Sequence, residues 1–324
     1  MLSGKTIFIS ALDWGLGHAT RCVPIIRRLE KDNKIIIGLT PLTKEIFETE
    51  FPFIEKINFP AYNIRYSSVL PVWLKLLADW PRISFVIKKE QILLEETIDK
   101  YKIDVVISDS RFGLHSKKAK TIFITHQLFL KAPFANRIAQ QKNKKFILNF
   151  DEVWVPDFED EGTSLSGKLS HDVHYHSNIQ YIQPQSRLLK TSATTAAYDC
   201  LFILSGPQPQ QQIFSELIIT KIKANPALKF AMVCSNKLNF AHENTSVFIS
   251  PNAASLSEII CSSKKIICRS GYSTLMDLHT LDKQNIILVP TPGQTEQEYL
   301  AEYWAHNFGA LSLPQSKFST LKLE

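Results

Sequence analysis

The stretch Arg269–Ala301, RSGYSTLMDLHTLDKQNIILVPTPGQTEQEYLA, decides the reading of the fold. An apolar run, Ile266-Ile267-Cys268, precedes it, and Gly271 stands where a chain leaving a strand must turn tightly into a helix. Main-chain N–H groups at such a turn, backed by the helix dipole, suit a diphosphate. The hydroxyls of Ser270, Ser273 and Thr274, with Arg269, surround the turn and would add to that grip. The following helix carries Asp277, about two turns in, within reach of a ribose lying over the helix start. A second apolar run, Asn285–Val289, then enters PTPGQTEQ. Two strand ends and two polar loops thus converge, which is where open parallel sheets bind ligands.

Working outward, apolar strand-like runs alternate with amphipathic helical ones. In the first half, strands are predicted at Thr6–Leu12, Lys34–Leu39, Phe53–Phe59, Asp104–Ile107, Thr121–Thr125 and Val153–Val155. Helices are predicted at His18–Lys31, Pro81–Lys100 and Pro133–Phe150; in the first of these Val23, Ile26 and Leu29 recur at three-residue spacing and form one apolar face. From Pro156 to Thr195 the pattern fades into polar sequence. Alternation then resumes through strands at Asp199–Leu204, Lys229–Cys234, Ser246–Ile249 and Lys265–Cys268, and helices at Gln210–Lys223, Ala254–Ser262 and Glu296–His306. Such alternation implies crossover units and parallel sheets covered on both faces. The expected class is α/β, with two Rossmann-like doubly wound domains facing across a cleft: 1–188, 189–308, and a tail, 309–324, packing back on the first domain.

Composition narrows the partners. The chain has 324 residues, enough for two domains, and 44% hydrophobic against 21% charged residues, ordinary for a globular protein. A net charge of +6 favours anionic partners such as nucleotide sugars or acidic membrane surfaces. No zinc-finger spacing, RNA-binding aromatic signature or long basic run supports nucleic acid. The five cysteines, Cys22, Cys200, Cys234, Cys261 and Cys268, are scattered without a C-x-x-C pair and read as buried thiols in a reducing cytoplasm. The N-terminal apolar run is interrupted by Asp13 and reads as a first strand, not a signal peptide, and no run of about 18 apolar residues suggests a membrane span.

Several motifs carry chemistry. GLGHATR, residues 15–21, places Gly15, Gly17, His18 and Arg21 at a strand-to-helix turn. It is not a dinucleotide fingerprint, because Thr20 stands where a third glycine would be needed and Thr40 where an acidic residue would. His18 at the helix start could take a proton from an acceptor hydroxyl. Asp109, ending DVVISD, is the rival base, ranked second because a carboxylate needs a raised pKa for that task. His126 and Gln127 end another strand at the same edge. A D-x-D segment is missing, since the chain reads Ser108-Asp109-Ser110, so neither Mg nor Mn is implied. His171, His174 and His176 match no structural zinc spacing. Lys142, Lys144 and Lys145 read as a solvated helix face. The stretch Val69–Val86, with Leu70, Trp73, Leu74, Leu76, Leu77, Trp80 and Phe85 beside Lys75, Arg82 and Lys88, is either core or a basic-edged apolar patch that docks on an anionic membrane.

RSGYSTLMDL followed by PTPGQTEQEYLA resembles the donor-binding region of the MurG-like glycosyltransferases, and GLGHATR resembles their N-terminal glycine-histidine loop. The resemblance implies the two-domain architecture called GT-B and an inverting, metal-independent transfer of a hexosyl or N-acetylhexosaminyl group from a UDP-sugar to a hydroxyl acceptor, lipid-linked in that family. It implies that Gly15, Gly17, His18 and Arg21 face the acceptor and the donor phosphates, and that His126-Gln127 matches a histidine-glutamine region. Gly206 and Gln208 would then lie on the phosphate side, although Pro207 and Pro209 replace residues that would offer N–H groups. Phe248 and Ile249 match a segment whose backbone meets the uracil edge, and Gln294, Glu296 and Gln297 match a sugar-selecting loop. Asp277 would hold the ribose, where the family commonly has glutamate. No cofactor is implied; the protein would be cytoplasmic, meeting its acceptor at the inner membrane face. A UDP-sugar epimerase or hydrolase, and a non-catalytic nucleotide-sugar binder, are the rival readings.

Overall fold

The computed structural model describes residues 2–64, 72–131, 136–171, 178–191, 196–236, 238 and 240–323, the side chains of 72–77 and 136 excepted. Two compact units divide the chain: Met1–Ile64 with Leu76–Ser186, and a second that contains Arg187–Glu324.

The first unit runs β1 (Thr6–Ala11), α1 (Leu16–Leu29), β2 (Lys34–Leu39), α2 (Lys44–Glu50), β3 (Glu55–Asn58), α3 (Val72–Tyr101), β4 (Val105–Asp109), β5 (Lys120–Ile124), α4 (Asn136–Ile147), β6 (Glu152–Val155) and β7 (Ile179–Tyr181). Its seven strands lie in the order β3-β2-β1-β4-β5-β6-β7, every pairing parallel. Strand β1, TIFISA, is apolar but for Thr6 and Ser10 because both of its faces are covered. Ile7 and Ile9 pack with Cys22, Val23 and Ile26 of α1, while Phe8, on the opposite face, packs with Leu94 and Ile98 of α3. Each such side chain withdrawn from water contributes about 1.5–3 kcal/mol. The order of strands turns around between β1 and β4, so the chain diverges there and leaves an opening at the carboxyl edge.

The second unit runs β8 (Tyr198–Leu204), α5 (Gln210–Lys223), β9 (Phe230–Cys234), β10 (Thr245–Ile249), α6 (Ala253–Cys261), β11 (Ser263–Cys268), α7 (Tyr272–Thr280), β12 (Ile286–Leu288), α8 (Thr295–Asn307) and β13 (Leu311–Ser312). Its order, β10-β9-β8-β11-β12-β13, is again all parallel and turns around between β8 and β11. Phe202 and Leu204 of β8 pack with Phe214, Ile218 and Ile222 of α5.

The tail corrects the expectation that it packs on the first domain. Leu311 and Ser312 pair with β12, and Phe318 and Leu323 are buried in the core of the second unit. Lys221 Nζ donates to the carbonyls of Ser319 and Leu321, and Lys265 Nζ to that of Leu323. Phe318 of the tail packs edge-on against Phe214 of α5 in that core. Three elements were also not foreseen, α2, β7 and β13, and α3 starts at Val72 and passes through Pro81 instead of starting there.

Candidate active site

At the carboxyl edge of the first unit, α1 brings His18 and Arg21 to the end of β4. Gly15 caps α1 without a side-chain hydrogen bond, and Gly17 lies in its first turn. His18 Nδ1 stands 2.7 Å from Asp109 Oδ1, and Arg21 Nε donates to Asp109 Oδ2 at 2.5 Å, with a second bond from Nη2 to Oδ1. Arg21 Nη1 reaches His126 Nδ1 at 3.3 Å, and Nη2 reaches Ser110 Oγ at 3.3 Å. The Cys22 thiol donates to Asp109 Oδ2 at 3.4 Å. Asp109 is fully buried, whereas the His18 side chain keeps 20% of its surface. Burial alone would raise the Asp109 carboxyl; the Arg21 guanidinium, then His18, outweigh it and hold the group well below the usual carboxylate range. The two residues weighed as rival bases are therefore partners: Asp109 is ionised and saturated with donors, and His18 is the one that keeps exposed surface. Gln127 N donates to Thr125 Oγ1 and its carbonyl accepts from Asn143 Nδ2, which fixes the loop after β5.

A second buried ion pair supports this edge from behind. Arg111 Nε donates to Glu90 Oε1 at 2.7 Å, and its Nη1 to the carbonyl of Ala11 at the end of β1. The Tyr62 hydroxyl donates to Glu90 Oε2 at 2.6 Å, and Asp13 accepts from the amides of Tyr62 and Asn63. Glu90 lies in a charged run of α3 and had no signal that would have separated it from surface carboxylates.

In the second unit the corresponding opening is lined by main chain. Gly206 follows β8 with φ +96°, a conformation that favours glycine, and a Cβ built there meets nothing within 4 Å. Gly271 caps α7 with ordinary φ −73°, has no side-chain cap, and a Cβ there likewise meets nothing within 4 Å. Since β8 and β11 are hydrogen-bonded neighbours, both glycines end at one edge with open space above them. Ser273, Thr274 and Asp277 lie on α7, part-exposed. Arg269 and Ser270 turn inward. Arg269 donates to the carbonyls of Val289, Pro290 and Gln210 and to Gln315 Oε1, its guanidinium lies over the Phe214 ring at 4.1 Å, and burial lowers it to about 10. Ser270 Oγ donates to the carbonyl of Gln297.

The loop after β12 is braced by the helix it enters. Gln297 Oε1 accepts from the amide of Thr291, and Glu298 Oε1 from that of Gly293, while Gln294 and Glu296 remain part-exposed. Gln208 Nε2 donates to Gln211 Oε1 at the start of α5. Phe248 and Ile249 end β10, two strands from β8, and Ile249 is 49% exposed.

Among the described residues no group of three or more His, Cys, Asp or Glu side chains could hold a metal ion. His171 is engaged through Nδ1 with Ser170 Oγ and through Nε2 with the Phe158 carbonyl; His174 and His176 lie outside the described residues. So do Val69 and Leu70, and the side chains of Trp73, Leu74, Lys75, Leu76 and Leu77. Of the remaining stretch, Trp80 packs on Phe146 of α4 with Lys142 over its ring, while Phe85 and, two helical turns further, Ile92 are 68% and 64% exposed beside exposed Lys88 and Lys89. No helix among the described residues is long and apolar enough to cross a membrane. The five cysteines are free thiols, and burial raises Cys268 to about 12 and Cys200 to about 11.

Solved structures share this architecture across both units. The MurG of Acinetobacter baumannii aligns over 99% of this chain and 88% of its own, with a TM-score of 0.56 at 12% identity. The spinosyn rhamnosyltransferase SpnG complexed with thymidine diphosphate aligns over 98% and 88%, with a TM-score of 0.64 at 12% identity. UGT2 of Phytolacca americana complexed with UDP-2-fluoro-glucose and pterostilbene aligns over 95% and 85%, with a TM-score of 0.61 at 12% identity. Identities this low establish fold and no more. The fold is that of the GT-B glycosyltransferases. Residues 206–324, which lie in the second unit, match the glycosyltransferase family 28 C-terminal domain, and the MurG-like resemblance of Arg269–Ala301 holds. A search of curated proteins by sequence returns no match.

Proposed function

We propose that this protein is an inverting, metal-independent glycosyltransferase that moves a hexosyl or N-acetylhexosaminyl group from a UDP-sugar to a hydroxyl acceptor. The observation that carries the reading is the pair of glycines, Gly206 and Gly271, ending adjacent strands of a family 28 domain with open space where a Cβ would stand. Amides at the uncapped start of α7 would grip the diphosphate and take up the charge that develops as it leaves, so no cation is required. Phe248 and Ile249 lie two strands away, about 10 Å, a base-to-phosphate reach for the uracil edge. Asp277 would hold the ribose, and Gln294, Glu296 and Gln297 would read the sugar hydroxyls.

His18 serves as the base. Its Nδ1 donates to Asp109, which leaves Nε2 to take the acceptor proton. The acceptor oxygen then bonds to the anomeric carbon as the bond to the diphosphate breaks, its electron pair passing to the phosphate oxygen and the anomeric configuration inverting. The exposed Phe85 and Ile92 beside Lys88 and Lys89 favour a lipid-linked acceptor at an anionic cytoplasmic membrane face.

Incubating the protein with UDP-sugars, with and without cell lipid extract, tests this. UDP release that depends on the extract and persists in chelator is the expected result. Release or isomerisation without extract would favour a hydrolase or epimerase, and thermal stabilisation by UDP with no turnover would favour a binding protein; either overturns transfer.

A further inference from the structure

Arg269 stands immediately after β11, two residues before Gly271, and is 1% exposed. A guanidinium carries five N–H groups in one rigid plane. Four of them are engaged here: Nη1 donates to the carbonyls of Val289 at 3.0 Å and Pro290 at 3.1 Å, and Nη2 to the carbonyl of Gln210 at 3.4 Å and to Gln315 Oε1 at 2.6 Å. Val289 and Pro290 follow β12, Gln210 opens α5 after β8, and Gln315 follows β13. Strands β8, β11, β12 and β13 are consecutive neighbours in the sheet, so one side chain spans the carboxyl ends of four adjacent strands. It does so where the ladders end, at the backbone bonds from Val289 N to the carbonyl of Cys268 and from Leu313 N to that of Leu288.

Such an arrangement is a costly way to stabilise a fold. Burial lowers the guanidinium to about 10, so it stays charged at neutral pH, yet the four oxygens it meets are neutral, and Nε has no hydrogen-bond partner among the described residues. A buried charge without a counter-charge is expensive where apolar side chains could pack instead. What a planar fork supplies and apolar packing does not is a fixed distance between the groups it holds. We infer that Arg269 is a positioning residue: it touches no ligand itself and sets the spacing of the Gly206 turn, the Gly271 turn and the loop that begins at Pro290, so that amides of both turns meet the two phosphates of a nucleoside diphosphate at once. This role rests on the reading of the second unit as the donor domain. A nucleoside monophosphate, whose single phosphate needs only one turn, gains little from the spacing. Phe248 and Ile249 end β10, outside the four strands that Arg269 spans, so contacts to the base are independent of it.

Calorimetric titration of the whole chain with UDP and with UMP tests this. Arg269→Lys keeps the charge, but an ammonium on a flexible stem has no planar fork to hold four oxygens in place. UDP affinity should fall by about tenfold in this variant, while UMP affinity falls by less than about threefold. Gln315, 46 positions away in sequence, gives a second route. Gln315→Leu removes one acceptor and should lower UDP affinity by about threefold, whereas Gln315→Glu keeps an oxygen there and should bind UDP as the wild type does. Equal losses for UDP and UMP in Arg269→Lys overturn the inference, because a general loosening of the unit weakens both. Should Arg269→Lys fail to fold, equal UDP affinity in Gln315→Leu and Gln315→Glu overturns it. A wild type that binds no UDP overturns the donor reading and this role with it; a wild type that binds UDP beside variants that bind it equally well overturns this role alone.

Discussion

The two units share one strand order and solve the opening at its turning point differently. In the first, the edge is filled with ionisable side chains, the Asp109 cluster backed by the buried Arg111–Glu90 pair. In the second, the edge is glycine and main-chain amide, and the buried guanidinium of Arg269 donates to carbonyl oxygens. A proton must be moved by a side chain whose charge can change, whereas a diphosphate is held well by fixed dipoles that never titrate. On the proposed function, duplicated topology separates the two tasks: reactivity in one half, grip in the other.

Mutation should separate them as cleanly. The largest effect is expected from His18→Ala: turnover falls by about 10²–10⁴-fold while UDP affinity, measured calorimetrically, is unchanged. Full activity would dissolve the division of labour. Next, Glu90→Ala strands a buried Arg111 and should cost about 3–5 kcal/mol in urea unfolding, a penalty with no counterpart at the glycine edge. Gly271→Ala should weaken UDP binding by tenfold or more at an unaltered melting temperature, because its φ tolerates a side chain and the added Cβ would occupy only the space assigned to phosphate. Unchanged affinity would empty the cradle of meaning. Asp277→Ala should cost about 1–2 kcal/mol of UDP affinity, and no loss removes it from the site.

The smallest effect is one of pH. A carboxyl whose folded pKa is depressed contributes stability above its unfolded value, near 4, and loses it as pH falls toward the folded value. The stability gap between wild type and Asp109→Asn should therefore be flat from about pH 5 to 8 and narrow only in stronger acid. A gap that closes near neutrality would place Asp109 among ordinary carboxylates.

Much of the fold was legible because buried parallel strands are near-continuous apolar runs separated by helical patterns: the strand Lys34–Leu39 and the helix Gln210–Lys223 fall where the pattern places them. What escaped was short or made by its neighbours. Helix α2 buries only Phe47, too little for a period to show, and β7 and β13 exist through pairing at sheet edges. The stretch after Val69 reads as membrane patch or core, and the α3 residues that can be seen divide between the two, Trp80 packed and Phe85 exposed. At the site, residue types were readable and their engagements were not. His18 and Asp109 are 91 positions apart, and nothing local reveals that they share a hydrogen bond. Nor does RSG reveal that Arg269 turns from the ligand edge toward the Val289 carbonyl.

Because Gln315 accepts from Arg269, and Phe318 lies in the same core as Phe214, the end of the chain is mechanically continuous with the floor of the proposed nucleotide cradle. A late frameshift that spares every residue of the signature Arg269–Ala301 would still be expected to behave as a null allele, since the ground beneath that signature would be gone.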